Sequence, residues 1–163
     1  MHHEVSYKGA NMETTRHTFL FHPGTWHALG TYIDNQGKAV AAEGTVSIIH
    51  QGDLWVNEGS IKVLGENRLE FLNHYEIVPF ERDGLTTTWC SRNPSLGTLY
   101  GVFAVVGDSI LSAFSSEDGA STGMEYLRQL EPEQYENRGV LFHEGLMVSS
   151  WAMELRKHEG ETR

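Results

Sequence analysis

The side chains able to do acid–base or binding chemistry are scattered along this chain, and none falls into a spacing that fixes a reaction geometry. His50 stands near Asp53, and His74 beside Tyr75 and Glu76, so each could form an acid–base pair. On an extended strand His74 and Tyr75 point to opposite faces, which makes a solvent-facing cross-strand contact the better expectation for His74. Cys90 has no neighbouring base or helix N-terminus to lower its pKa, and reads as a buried structural thiol. Arg128 alternates with Met124 and Tyr126; if it points inward it needs an anion, because an unpaired buried guanidinium is very costly. A ligand carboxylate, Glu58 or Glu125 would each supply one, whereas at a rim water would do. The His residues, among them His2, His3, His17, His22 and His27, show no HExxH or CxxC…HxxxH spacing, so neither a metal nor a cofactor is expected. Ser-His-Asp order, glycine-rich phosphate loops and paired glutamates are missing as well. The residues do not compel an enzyme.

What would position these side chains is legible from punctuation. Asp34-Asn35-Gln36-Gly37, Gly52-Asp53, Gly65-Glu66-Asn67, Asp83-Gly84, Asn93-Pro94-Ser95-Leu96-Gly97, Gly107-Asp108, Asp118-Gly119, Pro132-Glu133 and Glu144-Gly145 are turn clusters. They cut Thr25 to Arg156 into ten segments of strand length. Within the segments apolar residues alternate. Trp55, Asn57, Gly59, Ile61 and Val63 share one face; Leu69, Phe71, Asn73, Tyr75 and Ile77 share another; Met147, Ser149, Trp151, Met153 and Leu155 a third. The stretch from Leu99 to Val106 is apolar on both faces, leaving an outer surface for a second subunit or the N-terminal segment to cover; a homodimer would do so. Residues 1–18 are polar and without a period, and read as a loosely held arm before a single domain spanning 19–163.

Composition bounds the partners. A chain of 163 residues with 39% hydrophobic and 21% charged residues suits one soluble domain. The formal charge of −10 and the lack of a Lys/Arg cluster argue against nucleic acid and anionic lipid. No apolar run is long enough to span a membrane as a helix. Met1-His2-His3-Glu4 opens without a basic segment leading into an apolar one, and Cys90 is alone, so a cytoplasmic protein is expected.

Ten hairpin-linked strands left as an open meander would expose two long edges. Pairing the first strand with the last removes both, so a closed antiparallel up-and-down β-barrel is favoured over a two-sheet sandwich, the competing all-β architecture. Ala28 and Gly30 would let the sheet coil tightly where it closes. Gly24-Thr25-Trp26 opening the first strand, with Arg156 late in the last, resembles the lipocalin and fatty-acid-binding (calycin) superfamily over residues 24–156. The resemblance implies that Trp26 plugs one end of the barrel and that Arg156 lies over it in a cation–π contact. Ten strands place the likeness on the nitrobindin-like side of that group. The chain departs from the fatty-acid binders in having only residues 34–42 between Ile33 and Glu43, and no Arg-x-Tyr in the last strand. It departs from the haem binders in having no histidine on that strand.

With the more apolar face turned inward, the lining would be Trp55, Asn57, Phe71, Asn73, Tyr75, Trp89, Met124, Tyr126, Trp151 and Met153, with His50 and Arg128 as its polar members. An apolar pocket with a few oriented polar groups is the usual form of a small-molecule site. The expected function is therefore to bind or carry a small hydrophobic molecule, acidic if Arg128 faces it. The alternative is a lipocalin-like enzyme of isomerase, cyclase or bilin-lyase type acting on such a molecule.

Overall fold

The computed structural model describes residues 16–160; His2 and His3 lie outside them. Ten strands follow one another: β1 (Gly24–Ile33), β2 (Ala39–Gln51), β3 (Leu54–Val63), β4 (Leu69–Ile77), β5 (Thr86–Asn93), β6 (Gly97–Val106), β7 (Ser109–Ser116), β8 (Ser121–Glu131), β9 (Gln134–His143) and β10 (Leu146–Lys157). Each of the nine turn clusters separates two of them. The β9–β10 hairpin shows why such clusters turn the chain: Glu144 (φ 49°) and Gly145 (φ 79°) are both left-handed, the two-residue geometry whose twist matches paired strands. Every strand pairs antiparallel with its sequence neighbours, and β1 pairs with β10 from Trp26↔Lys157 to Ile33↔Ser150, so the sheet is a closed barrel. No edge is left at that seam. Gly30 belongs there because a Cβ would sit 2.0 Å from the Ala152 carbonyl oxygen. Pairing is shortest between β4 and β5, which share only Tyr75↔Ser91, Glu76↔Cys90 and Ile77↔Trp89. No helix among the described residues is long and apolar enough to cross a membrane.

One end of the barrel is sealed by the segment leading into β1. Trp26 is fully buried and meets Phe19 and Tyr135 edge-on, at ring-centroid distances of 5.4 and 5.5 Å. Burying aromatics of this size stabilises the fold by about 2–3 kcal/mol each. The Tyr135 hydroxyl ties the segment down, accepting from the Thr18 and Phe19 amides at 3.0 and 3.3 Å. His17 Nε2 donates to the Gly107 carbonyl at 2.9 Å, which leaves Nδ1 to accept the Tyr135 proton at 3.0 Å. The boundary drawn by sequence at residue 18 therefore falls inside this plug: His17 is fully buried in it. Trp26 plugs the barrel as the resemblance implied, but Arg156 does not cover it. Arg156 occupies the outward position of β10, opposite His27, and pairs with Glu154 at 2.8 Å.

Candidate functional site

Between the plug and the opposite, open end lies a cavity of about 360 Å³. Phe19 forms its floor, Phe103, Leu127, Met153 and Leu155 its lower wall, and Tyr32, Phe71, Asn93, Leu96 and Val148 its mouth. Tyr32 and Phe71 stack there at 5.6 Å. An engineered cavity of about 150 Å³ holds benzene, so this one has room for roughly two such rings. Small barrels usually fill their interior with side chains. Here three rings lie flat against the wall instead, each over a glycine of the adjacent strand: Trp89 over Gly101, Phe114 over Gly123 and Trp151 over Gly139. A Cβ at any of the three would lie 2.0–2.2 Å from the ring. The glycines let bulky aromatics hug the sheet and leave the lumen open.

The polar groups in this lumen are few. Asn57, Asn73 and Tyr75 face it from β3 and β4, and Glu125 and Asn137 from β8 and β9. Asn137 Nδ2 donates to Glu125 Oε2 at 3.1 Å and to the Tyr126 carbonyl at 3.0 Å, and the Trp151 indole also donates to the Glu125 carboxyl. Burial pushes the Glu125 carboxyl above its ordinary value, against the smaller opposing effect of those donors. Burial likewise pushes the Tyr75 phenol up, with the charge of Glu125 adding to it. A carboxyl raised on folding contributes stability that is present below its unfolded pKa of about 4.3 and is lost as pH rises through the folded value. Glu125→Gln should therefore match wild type in Tm near pH 4 and exceed it increasingly above, as thermal unfolding across a pH series would show. A Tm difference flat with pH would mean that Glu125 does not titrate in this way.

The structure brings Asn57, Phe71, Asn73, Tyr75, Trp151 and Met153 together on the cavity wall. Trp55 points to the same side but lies at the closed end, under Phe21 and Phe80. His50 stacks flat on Trp55 at 4.1 Å and donates Nε2–H to the Leu20 carbonyl at 2.7 Å, a structural engagement rather than a pairing with Asp53. Trp89 is buried in the wall, donating to Ser112 Oγ at 3.2 Å and packed edge-on by Tyr75. Met124, Tyr126 and Arg128 stand on the other face of β8 from the one expected. Gly123, Leu127 and Gln129 are buried inward and the half-buried Glu125 shares their face, while Met124 is 59% exposed. Arg128 is outside, held by Asp108 at 3.1 Å and Glu136 at 3.6 Å, and its hydrogen bond keeps the Asp108 carboxyl below its usual range. The ground for an acidic ligand goes with it. His74 takes the expected outward position between Glu58 and Glu76, and Cys90 is half-buried on the outer face of β5.

No protein-family model matches the chain, and no curated protein does either. Solved structures do. The S-type phycobiliprotein lyase CPES from Guillardia theta aligns at a TM-score of 0.63 and 9% identity, over 94% of this chain and 96% of that one. Rv2717c from M. tuberculosis aligns at 0.63 and 12%, over 93% of this chain and 98% of its own. At such identities the likeness is one of architecture: this chain is a ten-stranded closed antiparallel barrel, and it shares that fold with both structures.

Proposed function

We propose that the barrel binds a small, mostly apolar molecule in its lumen, as a carrier or sequestering protein. The observation that carries this reading is the open interior itself, from which Phe114 and Trp151 are held back by lying over Gly123 and Gly139, as Trp89 lies over Gly101 in the wall beside it. Phe71, Tyr75, Trp151 and Met153 would supply apolar contact, and Asn57 and Asn73 would orient the molecule. Calorimetric titration with 1-methylnaphthalene, a neutral two-ring probe, should give saturable binding near one per chain. If neither this probe nor its charged analogues bind, the pocket reading falls.

A second reading, an enzyme acting on the bound molecule, draws on Glu125: a lumenal carboxyl with a raised pKa is the type of group that general acid–base catalysis uses. The fold shared with a phycobiliprotein lyase is compatible with it. Turnover of a co-purified molecule that disappears in Glu125→Gln would favour that reading. The lone Cys90 supports a reducing, cytoplasmic setting. A homodimer is supported by the outer row Val102–Ala113–Met124–Val140, which carries no charge and is exposed at Val102 and Met124. A native mass spectrum of protein from its own host would read subunit count and bound molecule together.

A further inference from the structure

We infer that the lumen selects apolar amines, a compact ring skeleton carrying a protonated nitrogen that seats on Glu125. This rests on the reading of the lumen as a ligand site and adds the charge that the ligand must bear. Glu125 is the one carboxyl among the residues lining the cavity, and no Lys, Arg or His lines it with them. The basic side chains nearest along the wall are committed elsewhere. Arg128 is outside with Asp108 and Glu136, and Arg138 is engaged by Glu136 and by the Asn137 and Met153 carbonyls. A carboxylate in this lumen is thus a charge without a protein counter-ion among the described residues, a costly state that a ligand cation relieves.

The geometry leaves the group available. Asn137 and the Trp151 indole hold the carboxyl in place, yet a carboxylate has about four acceptor sites, so part of its capacity still faces the lumen. The rest of the chamber suits the remainder of such a molecule: Phe19, Phe103, Leu127 and Met153 offer no polar group below Glu125, and the mouth is neutral. The formal charge of −10 draws cations toward the barrel and repels anions. Tyr75 on β4 and Tyr32 on β1 are the other titratable groups lining the lumen; Ser112, Asn137 and Trp151, which flank Glu125 on β7, β9 and β10, do not titrate. An amine that stays protonated should therefore bind more tightly as pH rises and Glu125 ionises.

The test compares three probes of one skeleton by calorimetry on the full chain: 1-(aminomethyl)naphthalene, 1-methylnaphthalene and 1-naphthoate. At neutral pH the amine should bind about tenfold or more tighter than the neutral probe, and the carboxylate weakest of the three. Glu125→Gln should bring the amine to the level of 1-methylnaphthalene while moving the neutral probe by no more than about twofold. Should that variant not fold, the wild-type order and its growth with pH carry the test alone. A carboxylate that binds as well as the amine, or an amine preference that survives Glu125→Gln, overturns the inference. Binding of 1-methylnaphthalene with no gain for the amine overturns it while the pocket stands. Binding of none of the three removes both.

Discussion

Gly139→Ala is expected to close the lumen to 1-methylnaphthalene while leaving the barrel folded. The added Cβ would lie 2.0 Å from Trp151 Cζ2 and 2.1 Å from Cε2, so the indole cannot keep its place against the sheet. On its other side lies the cavity of about 360 Å³, the one direction with room for a ring of that size. Swinging inward, the indole gives up its hydrogen bond to Glu125 and takes the volume of one of the roughly two rings the cavity holds. Strain of this kind costs about 1–3 kcal/mol of stability, whereas loss of the chamber should lower affinity about a hundredfold or more. Urea unfolding and calorimetry on the same sample separate the two effects. Adding Trp151→Ala removes the displaced ring, so the double variant should regain binding that Gly139→Ala lost, a coupling that two independent defects would not show. A Gly139→Ala protein that binds as wild type does would mean that the flattened rings are not what keeps the interior open.

How much of this was legible in the sequence depends on what each strand face has to bury. On β3, β4 and β10 one face meets a lumen lined with Trp, Phe, Tyr and Met and the other meets water, so alternation picks out the inner side correctly. The seam followed from the same logic at larger scale, since a meander of ten strands has two edges to hide. On β8 the rule inverts. Its inner positions are Gly123, Glu125, Leu127 and Gln129: a glycine that a ring must cover, an acid facing a cavity, one core leucine and an amide bonded to the Arg16 carbonyl. Its outer positions include Met124 and Tyr126, apolar on a face that no other strand of this chain covers. A pattern in which polarity marks the lumen and apolarity marks the outer face cannot be read by hydrophobic alternation, and a one-residue slip exchanges every side chain. From the sequence, Glu125 has a role only as a partner for an inward Arg128, and nothing there marks it as a lumenal group. The spacing Gly123-x-Glu125-x-Leu127 opposite Asn137-x-Gly139 would have shown it only once the β8–β9 register was known.

The plug was the other illegible element, and it carries the second large effect. Residues 17–21 have no period; they are held by scattered contacts rather than by a repeating face, and one hydroxyl, that of Tyr135, gathers three of their polar groups. Tyr135→Phe keeps the ring that packs on Trp26 and Phe19 and removes only that oxygen. Two backbone amides, Thr18 and Phe19, then lose their acceptor, and His17 Nδ1 loses that donor; His17 and Phe19 are buried and Thr18 half-buried. A buried group left without its partner costs about 1–3 kcal/mol; with partial relaxation of three such groups, the loss should be about 3 kcal/mol, or about 10 °C in Tm for a chain of this size. Tyr126→Phe, on the outer face of β8, should change stability by no more than about 0.5 kcal/mol. Because Phe19 is also the floor of the cavity, loosening the plug should reach the ligand. Amide exchange at Thr18 and Phe19 should accelerate in Tyr135→Phe, and dissociation of 1-methylnaphthalene should quicken with it. Unchanged stability in that variant would mean that apolar packing around Trp26 holds the end shut unaided; a plug that loosens with no change in dissociation would place ligand exit at the mouth between Tyr32, Phe71 and Val148.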